Sequence, residues 1–289
     1  MDPDISVMFS VPCNTTITES NTAVNINSSF NRCPLGELDN EISSIWKVRL
    51  TENPRLFNGT KFRLDSVLLT DDSLTMNLGL TCYRDFIGTN WSPKAKEIQE
   101  LGQNKFNNPQ ACMSDAMGVG AFVETSDKHV IFLKRSMHCG EATGLWDIPG
   151  GHAEPKELVG KIPYEEIDIS TMSTTDVVKE TYDSIIREVV DEVNLPRSSL
   201  SSPILIGAAR NLTASGRPSV EFIIRCSLSS SEVISLYNKG NQEEADESTN
   251  IRLIPVQEIV SMKIDHEFWR NMAPSAKGCI ILYKLHTNT

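Results

Sequence analysis

A chain of 289 residues, 39% hydrophobic and 22% charged, has the apolar content for one large or two modest packed domains. No apolar run approaches the roughly 20 residues of a membrane-spanning helix, and Asp2 and Asp4 stand where a secretion signal would carry positive charge. The net charge of -11 weighs against a nucleic-acid groove, which needs a basic stripe, and favours metal-assisted binding of a small phosphorylated ligand.

Residues 1–38 are rich in Asn, Thr and Ser, with one strand expected around Ile5–Val11. A helix is predicted from Asn40 to Leu50, where Ile42, Ile45, Trp46 and Arg49 fall at helical spacing behind an Asp39 or Asn40 cap. The stretches KFRLDSVLLT (61–70) and LTMNLGLTCY (74–83) read as a hairpin. RDFIGTNWS (84–92), polar and aromatic, is expected to be a functional loop, and residues 93–102 a short helix opened by Pro93. The polar segment 103–110 marks the expected boundary between an N-terminal domain, 1–110, contributing to substrate recognition, and a second domain, 111–289. Beyond it, strands are predicted at 117–125, 129–136, 203–210 and 219–228, and helices at 174–193, 255–262, 266–272 and 275–285, an α/β layered pattern. The Gly118-Val119-Gly120 run lacks the third glycine of a dinucleotide fingerprint and is assigned to strand. Residues 241–248 read as an acidic loop. Seven scattered cysteines, without a Cys-x-x-Cys pair, predict free thiols in a reducing compartment, cytoplasmic and conceivably nuclear.

The densest chemistry lies in TTDVVKETYDSIIREVVDEV, 174–193. Ser173 with Asp176 suggests a capping box. Val178, Tyr182, Ile185, Val189 and Val193 make an apolar stripe suited to packing on a sheet. Glu188, Asp191 and Glu192 stand at i, i+3 and i+4 and converge on one face. Left unneutralised, such a cluster is a solvated face that gains nothing, because like charges at this spacing repel. Upstream, however, lies DIPGGHAEPKE, 147–157, a Gly-Gly turn followed by Glu154 and Glu157. Oxygen ligands brought together this way suit Mg2+, which takes carboxylates plus phosphate oxygens and water.

With these residues the chain resembles the Nudix hydrolases. Their box reads glycine, five residues, glutamate, seven residues, then Arg-Glu-apolar-x-Glu-Glu-x-Gly-apolar. Gly151 and Glu157 match its first half, and Arg187, Glu188, Val189, Asp191, Glu192 and Leu195 its second. Between the halves, 29 residues (158–186) stand where the family has seven; Asp191 replaces a Glu and Asn194 the Gly. An inserted surface loop costs little if its ends stay close, and Asn tolerates the left-handed conformation a helix end needs. The box is stretched, not broken. The resemblance implies a Nudix α/β/α sandwich with a mixed sheet over 111–289, beside a smaller N-terminal α+β domain. It also implies that Glu188 and Glu192 bind Mg2+ with help from Asp191, and that Arg187 orients these carboxylates. The backbone at Gly150 and Gly151 and the carboxylate of Glu157 would complete the site. Metal would activate a water for attack on phosphorus, with Glu188 or Glu154 as base.

YRDFIGTNW, VDEVNLP, GAARNLTASGRPSVEF and PSAKGCIILY, with the inserted loop, look like the UDP-sugar-hydrolysing branch of the family along nearly the whole chain. That implies cleavage of UDP-glucose and UDP-galactose to UMP and the sugar 1-phosphate. The partner implied is a small nucleotide sugar, with no nucleic acid, membrane or obligate protein partner. Tyr83, Phe86 and Trp91 offer a stacking face for uracil, unless they are core aromatics between domains. Asn90 or Thr89 would bond its edge or the ribose, and Arg84, Arg210 and Lys277 are candidates for the phosphates. Two alternatives remain: another diphosphate such as ADP-ribose or an ADP-sugar, or a non-hydrolysing nucleotide-sugar-binding module.

Overall fold

The computed structural model describes residues 2–54, 56–137, 139–240, 242 and 246–288, so part of the acidic stretch 241–248 lies outside the described residues. Its strands are β1 (Ile5–Ser10), β2 (Thr22–Ile26), β3 (Thr60–Leu69), β4 (Leu74–Cys82), β5 (Gly118–Glu124), β6 (His129–Arg135), β7 (Trp146–Asp147), β8 (Gly150–His152), β9 (Ile204–Asn211), β10 (Arg217–Arg225) and β11 (Ser248–Pro255). The helices are α1 (Leu38–Glu52), α2 (Tyr83–Gly88), α3 (Ala95–Phe106), α4 (Lys156–Val159), α5 (Thr174–Val193), α6 (Ser230–Tyr237), α7 (Val256–Ser261), α8 (Glu267–Arg270) and α9 (Pro274–Thr287).

The larger sheet is mixed, in the order β1-β9-β10-β5-β6-β11, with β8 paired to β5 and β7 to β6. The smaller has the order β2-β4-β3, and the predicted hairpin is its antiparallel β3–β4 pair. Residues on both sides of position 110 build the larger sheet, because β1 pairs antiparallel with β9. Period-two alternation sends the two faces of the larger sheet into separate cores. Val119, Ala121 and Val123 share one core with Ile185, Val189 and Val193 of α5 and with Phe62, Leu64 and Leu78 of the smaller sheet. Phe122, Phe132 and Ile223 share the other with Trp269 of α8 and Cys279, Ile280 and Leu282 of α9. Helix, sheet and helix therefore stack in layers, as the α/β expectation requires. Among the described residues no helix is long and apolar enough to cross a membrane, and all seven cysteines are free.

Helix α5 covers the predicted span residue for residue. Ser173 caps its start by accepting the Asp176 N–H at 3.3 Å. Asn194 ends it in the left-handed region (φ 63°, ψ 38°) and donates its amide to the Leu236 carbonyl at 2.8 Å, the conformation expected of a residue standing in for glycine. Much of the 158–186 insertion is not loop at all, since residues 174–186 are the first turns of α5. The stretch 84–92, expected as a loop, is helical through Gly88. Phe86 and Ile87 are buried there, and a Cβ on Gly88 would lie 2.6 Å from the Ile42 side chain of α1. Contact with α1 thus overrides a local sequence that reads as polar. Strand β11 was missed for a related reason: its STNIRLIP is half exposed, and its order comes from pairing with β6.

Candidate active site

One face of α5 holds the glycine turn. Positions 180, 188 and 192 differ by multiples of four, so their carboxylates lie along a single stripe. Each accepts a backbone N–H from the segment after β7: Glu192 from Gly150 at 2.9 Å, Glu188 from His152 at 3.2 Å and Glu180 from Glu154 at 3.1 Å. These three bonds bring the two halves of the motif together across the insertion. Gly151 is required sterically, because a Cβ there would lie 2.1 Å from a Glu188 oxygen. At Gly150 a Cβ would meet the Val119 carbonyl at 2.4 Å, which is how closely β8 lies against β5.

The Arg187 hydrogen bonds run two turns back to Glu180, at 2.8 and 3.5 Å, while Glu157 and Glu188 add to the negative charge around its guanidinium. Burial pushes the Glu180 carboxyl up in pKa, and Arg187 opposes that shift. Glu157 sits exposed on α4 with Lys156 4.0 Å away. Sequence reasoning missed Glu180; the signal was its placement eight residues before Glu188 on the same helical stripe.

Beside this stripe lies a cavity of about 360 Å³. Glu188, Glu154, Gly150, Gly151 and His152 line one side, and Tyr83, Phe86 and Trp91 another. Phe86 is buried between the other two rings, 6.4 Å from Tyr83 and 4.9 Å from Trp91 between centroids. Tyr83 and Trp91 stay half exposed, so their faces are available.

The four polar substrate ligands proposed from sequence lie elsewhere, each committed to a buried partner. Arg84 pairs with Asp85 and Glu165. Asn90, 2% exposed, donates to Asp115 and to the Ala214 carbonyl. Arg210 binds Asp115 at 3.0 Å and the Gly216 carbonyl at 2.7 Å. Lys277, buried, binds Asp4 at 2.6 Å and Asp2 at 3.5 Å. The cations that do line the cavity are Lys61, Arg135 and Arg217, all three from strands and none marked by any local motif. Burial and then these three charges hold the His152 imidazole well below its ordinary pKa, so it is neutral. Glu154 is depressed instead: Lys61 and Lys156 both hold it, outweighing burial.

Among the described residues no group of three or more His, Cys, Asp or Glu side chains is set to hold a metal ion unaided. Two carboxylates one helical turn apart, with Glu188 lining the cavity, do fit a hard divalent cation that completes its shell with water and substrate phosphate oxygens. The steric gap kept for Glu188 at Gly151 is consistent with that use.

Below the floor, Glu221 of β10 is fully buried. Burial, with Asp147 close by, pushes it from 4.5 up to about 7, while Ser219, Cys279 and Arg217 oppose the shift. A folded-state pKa above the unfolded one means the folded state holds the proton more tightly. Stability contributed by this group therefore falls as pH rises from about 4.5 through 7. We expect Glu221→Gln to flatten that fall, stabilising the protein at pH 8 relative to pH 5 by on the order of 3 kcal/mol. Urea unfolding of both proteins at the two pH values measures it; parallel curves would show that Glu221 is ionised when folded.

No family model matches the chain. The layered fold and the carboxylate stripe gripping a glycine turn describe a Nudix hydrolase site, and sequence relatives agree: the chain belongs to the Nudix hydrolase family. It is 41% identical to uridine diphosphate glucose pyrophosphatase NUDT22 of Mus musculus, over 99% of this chain and 92% of that protein. It is 40% identical to the Homo sapiens protein of the same name, over 98% and 93%. Nudix hydrolase 9 of Arabidopsis thaliana matches at 36% over 86% and 83%. Hydrolases of this family generally use a divalent metal.

Proposed function

We propose that the chain hydrolyses UDP-glucose and UDP-galactose to UMP and the sugar 1-phosphate with Mg2+. The observation that carries this reading is that Glu188 and Glu192 grip Gly150–His152, with Glu188 lining a cavity that Tyr83, Phe86 and Trp91 also line. The near full-length likeness to UDP-glucose pyrophosphatases supports the choice of substrate. Glu188 and Glu192 would hold the metal, with Asp191 one turn from Glu188 and the Gly150–Gly151 backbone beside them. Bound there, Mg2+ supplies charge to the diphosphate and a water of lowered pKa. Lys61 and Arg135 offset the remaining phosphate charge from the cavity wall. Glu154 is tied to two lysines and depressed, which makes it a poor proton acceptor. Tyr83 and Trp91 stack on the uracil.

Purified protein incubated with UDP-glucose and Mg2+ should yield UMP and glucose 1-phosphate on anion-exchange chromatography. Trp91→Ala should raise KM about tenfold, since a base on an aromatic ring gains ~1–3 kcal/mol. Faster turnover of ADP-ribose would overturn the substrate, and UDP-glucose binding without turnover would favour the binding module.

A further inference from the structure

The Gly118-Val119-Gly120 run, unexplained by any nucleotide fingerprint, has a structural purpose. Arg217, Ser219 and Glu221 alternate on one face of β10, and Ser219 and Glu221 lie in register with Gly118 and Gly120 on β5. A Cβ on Gly118 would sit 2.6 Å from an Arg217 nitrogen, and one on Gly120 would sit 2.4 Å from a Glu221 oxygen. The glycines leave a trough that the β10 side chains enter, and its Arg217 and Ser219 end opens into the cavity.

Arg217 is about nine-tenths buried. One Nη atom meets Glu141 at 3.2 Å, and its buried Nε has no hydrogen-bond partner among the described residues. Asn211, opposite Arg217 in the β9–β10 register, donates its amide to the other Glu141 oxygen at 2.9 Å. The Asn211 carbonyl oxygen is fixed by the Thr213 and Ala214 N–H groups, so the amide cannot turn away. Nearby, Asp147 accepts the Ser275 hydroxyl at 2.7 and 2.9 Å, and both residues line the same cavity.

Donors and carboxylate acceptors thus alternate in one rigid compartment. A phosphate beside Arg217 and Asn211 would face Glu141, which both already bind. The two hydroxyls of a ribose cannot use so many partners, whereas the four of a hexosyl group can. An unpaired buried donor such as the Arg217 Nε is costly until a ligand oxygen meets it. We propose that Glu141, Asn211, Arg217 and Ser219 form the compartment that takes the glycosyl group of the substrate. The assignment rests on the nucleotide-sugar reading above.

The test compares wild type, Arg217→Gln and Gly118→Ala, measuring KM for UDP-glucose, Kd for UMP by calorimetry, and melting temperature. Gly118→Ala removes no polar group and crowds Arg217 and, less closely, Ser219, so it serves as the second variant if Arg217→Gln fails to fold. The expected result is a KM raised about tenfold or more in each folded variant, with the UMP Kd within about twofold of wild type. A UMP Kd weakened in parallel would give the compartment to the nucleotide and overturn the proposal, and so would an unchanged KM. Wild type that neither binds nor hydrolyses UDP-glucose would instead overturn the nucleotide-sugar reading itself.

Discussion

Glu192→Gln is expected to lower kcat for UDP-glucose about 10³-fold, roughly 4 kcal/mol of transition-state stabilisation, while the protein remains folded. Glu192 is 5% exposed and accepts the Gly150 N–H, and an isosteric amide oxygen preserves that bond. What the amide cannot supply is charge: it presents an NH2 where a divalent cation would otherwise find an anionic oxygen. Geometry is held and electrostatics lost. Activity and melting temperature are therefore to be measured on the same preparation. A variant that retains more than a tenth of wild-type kcat would remove Glu192 from the metal site.

Arg210→Met should do the reverse, costing about 3 kcal/mol of stability and leaving KM for UDP-glucose within about twofold of wild type. Asp115, 1% exposed in its side chain, would lose the guanidinium 3.0 Å away. Burial pushes this carboxyl up in pKa, and Arg210 and then Arg63 work against that push. Because Arg63 and Asn90 stay in place, the loss falls at the low end of the range for breaking a buried pair. A fall in melting temperature of roughly 6–10 °C would register it. If KM rose with the melting temperature intact, Arg210 would return to the substrate ligands.

The contrast between these two residues shows what was legible. The shared face of Glu188 and Glu192 was readable because it depends on helical spacing, which is a local property, and Gly151 because the motif places it in sequence. Tyr83, Phe86 and Trp91 were picked out by type and do line the cavity, although Tyr83 and Phe86 sit on a helix. Arg84, Asn90, Arg210 and Lys277 were picked by type too. Yet a long polar side chain goes wherever its strongest partner is: Arg84 takes the buried Asp85 beside it, and Asn90, Arg210 and Lys277 take Asp115 and Asp2, buried acids brought up from other parts of the chain. Residues with no motif of their own, Lys61, Arg135 and Arg217, reach the cavity only because sheet pairing places them there.

The sequence by itself determined the family, the α/β class, the extent of α5 and its pair of acidic residues, since helical period, capping and motif spacing act over a few residues. Tertiary structure decided which cations face the cavity, that Arg187 turns to Glu180, and what the two glycines of β5 make room for. Those outcomes depend on which side chains meet across strands and layers, where desolvation and pairing of charges outweigh any local preference.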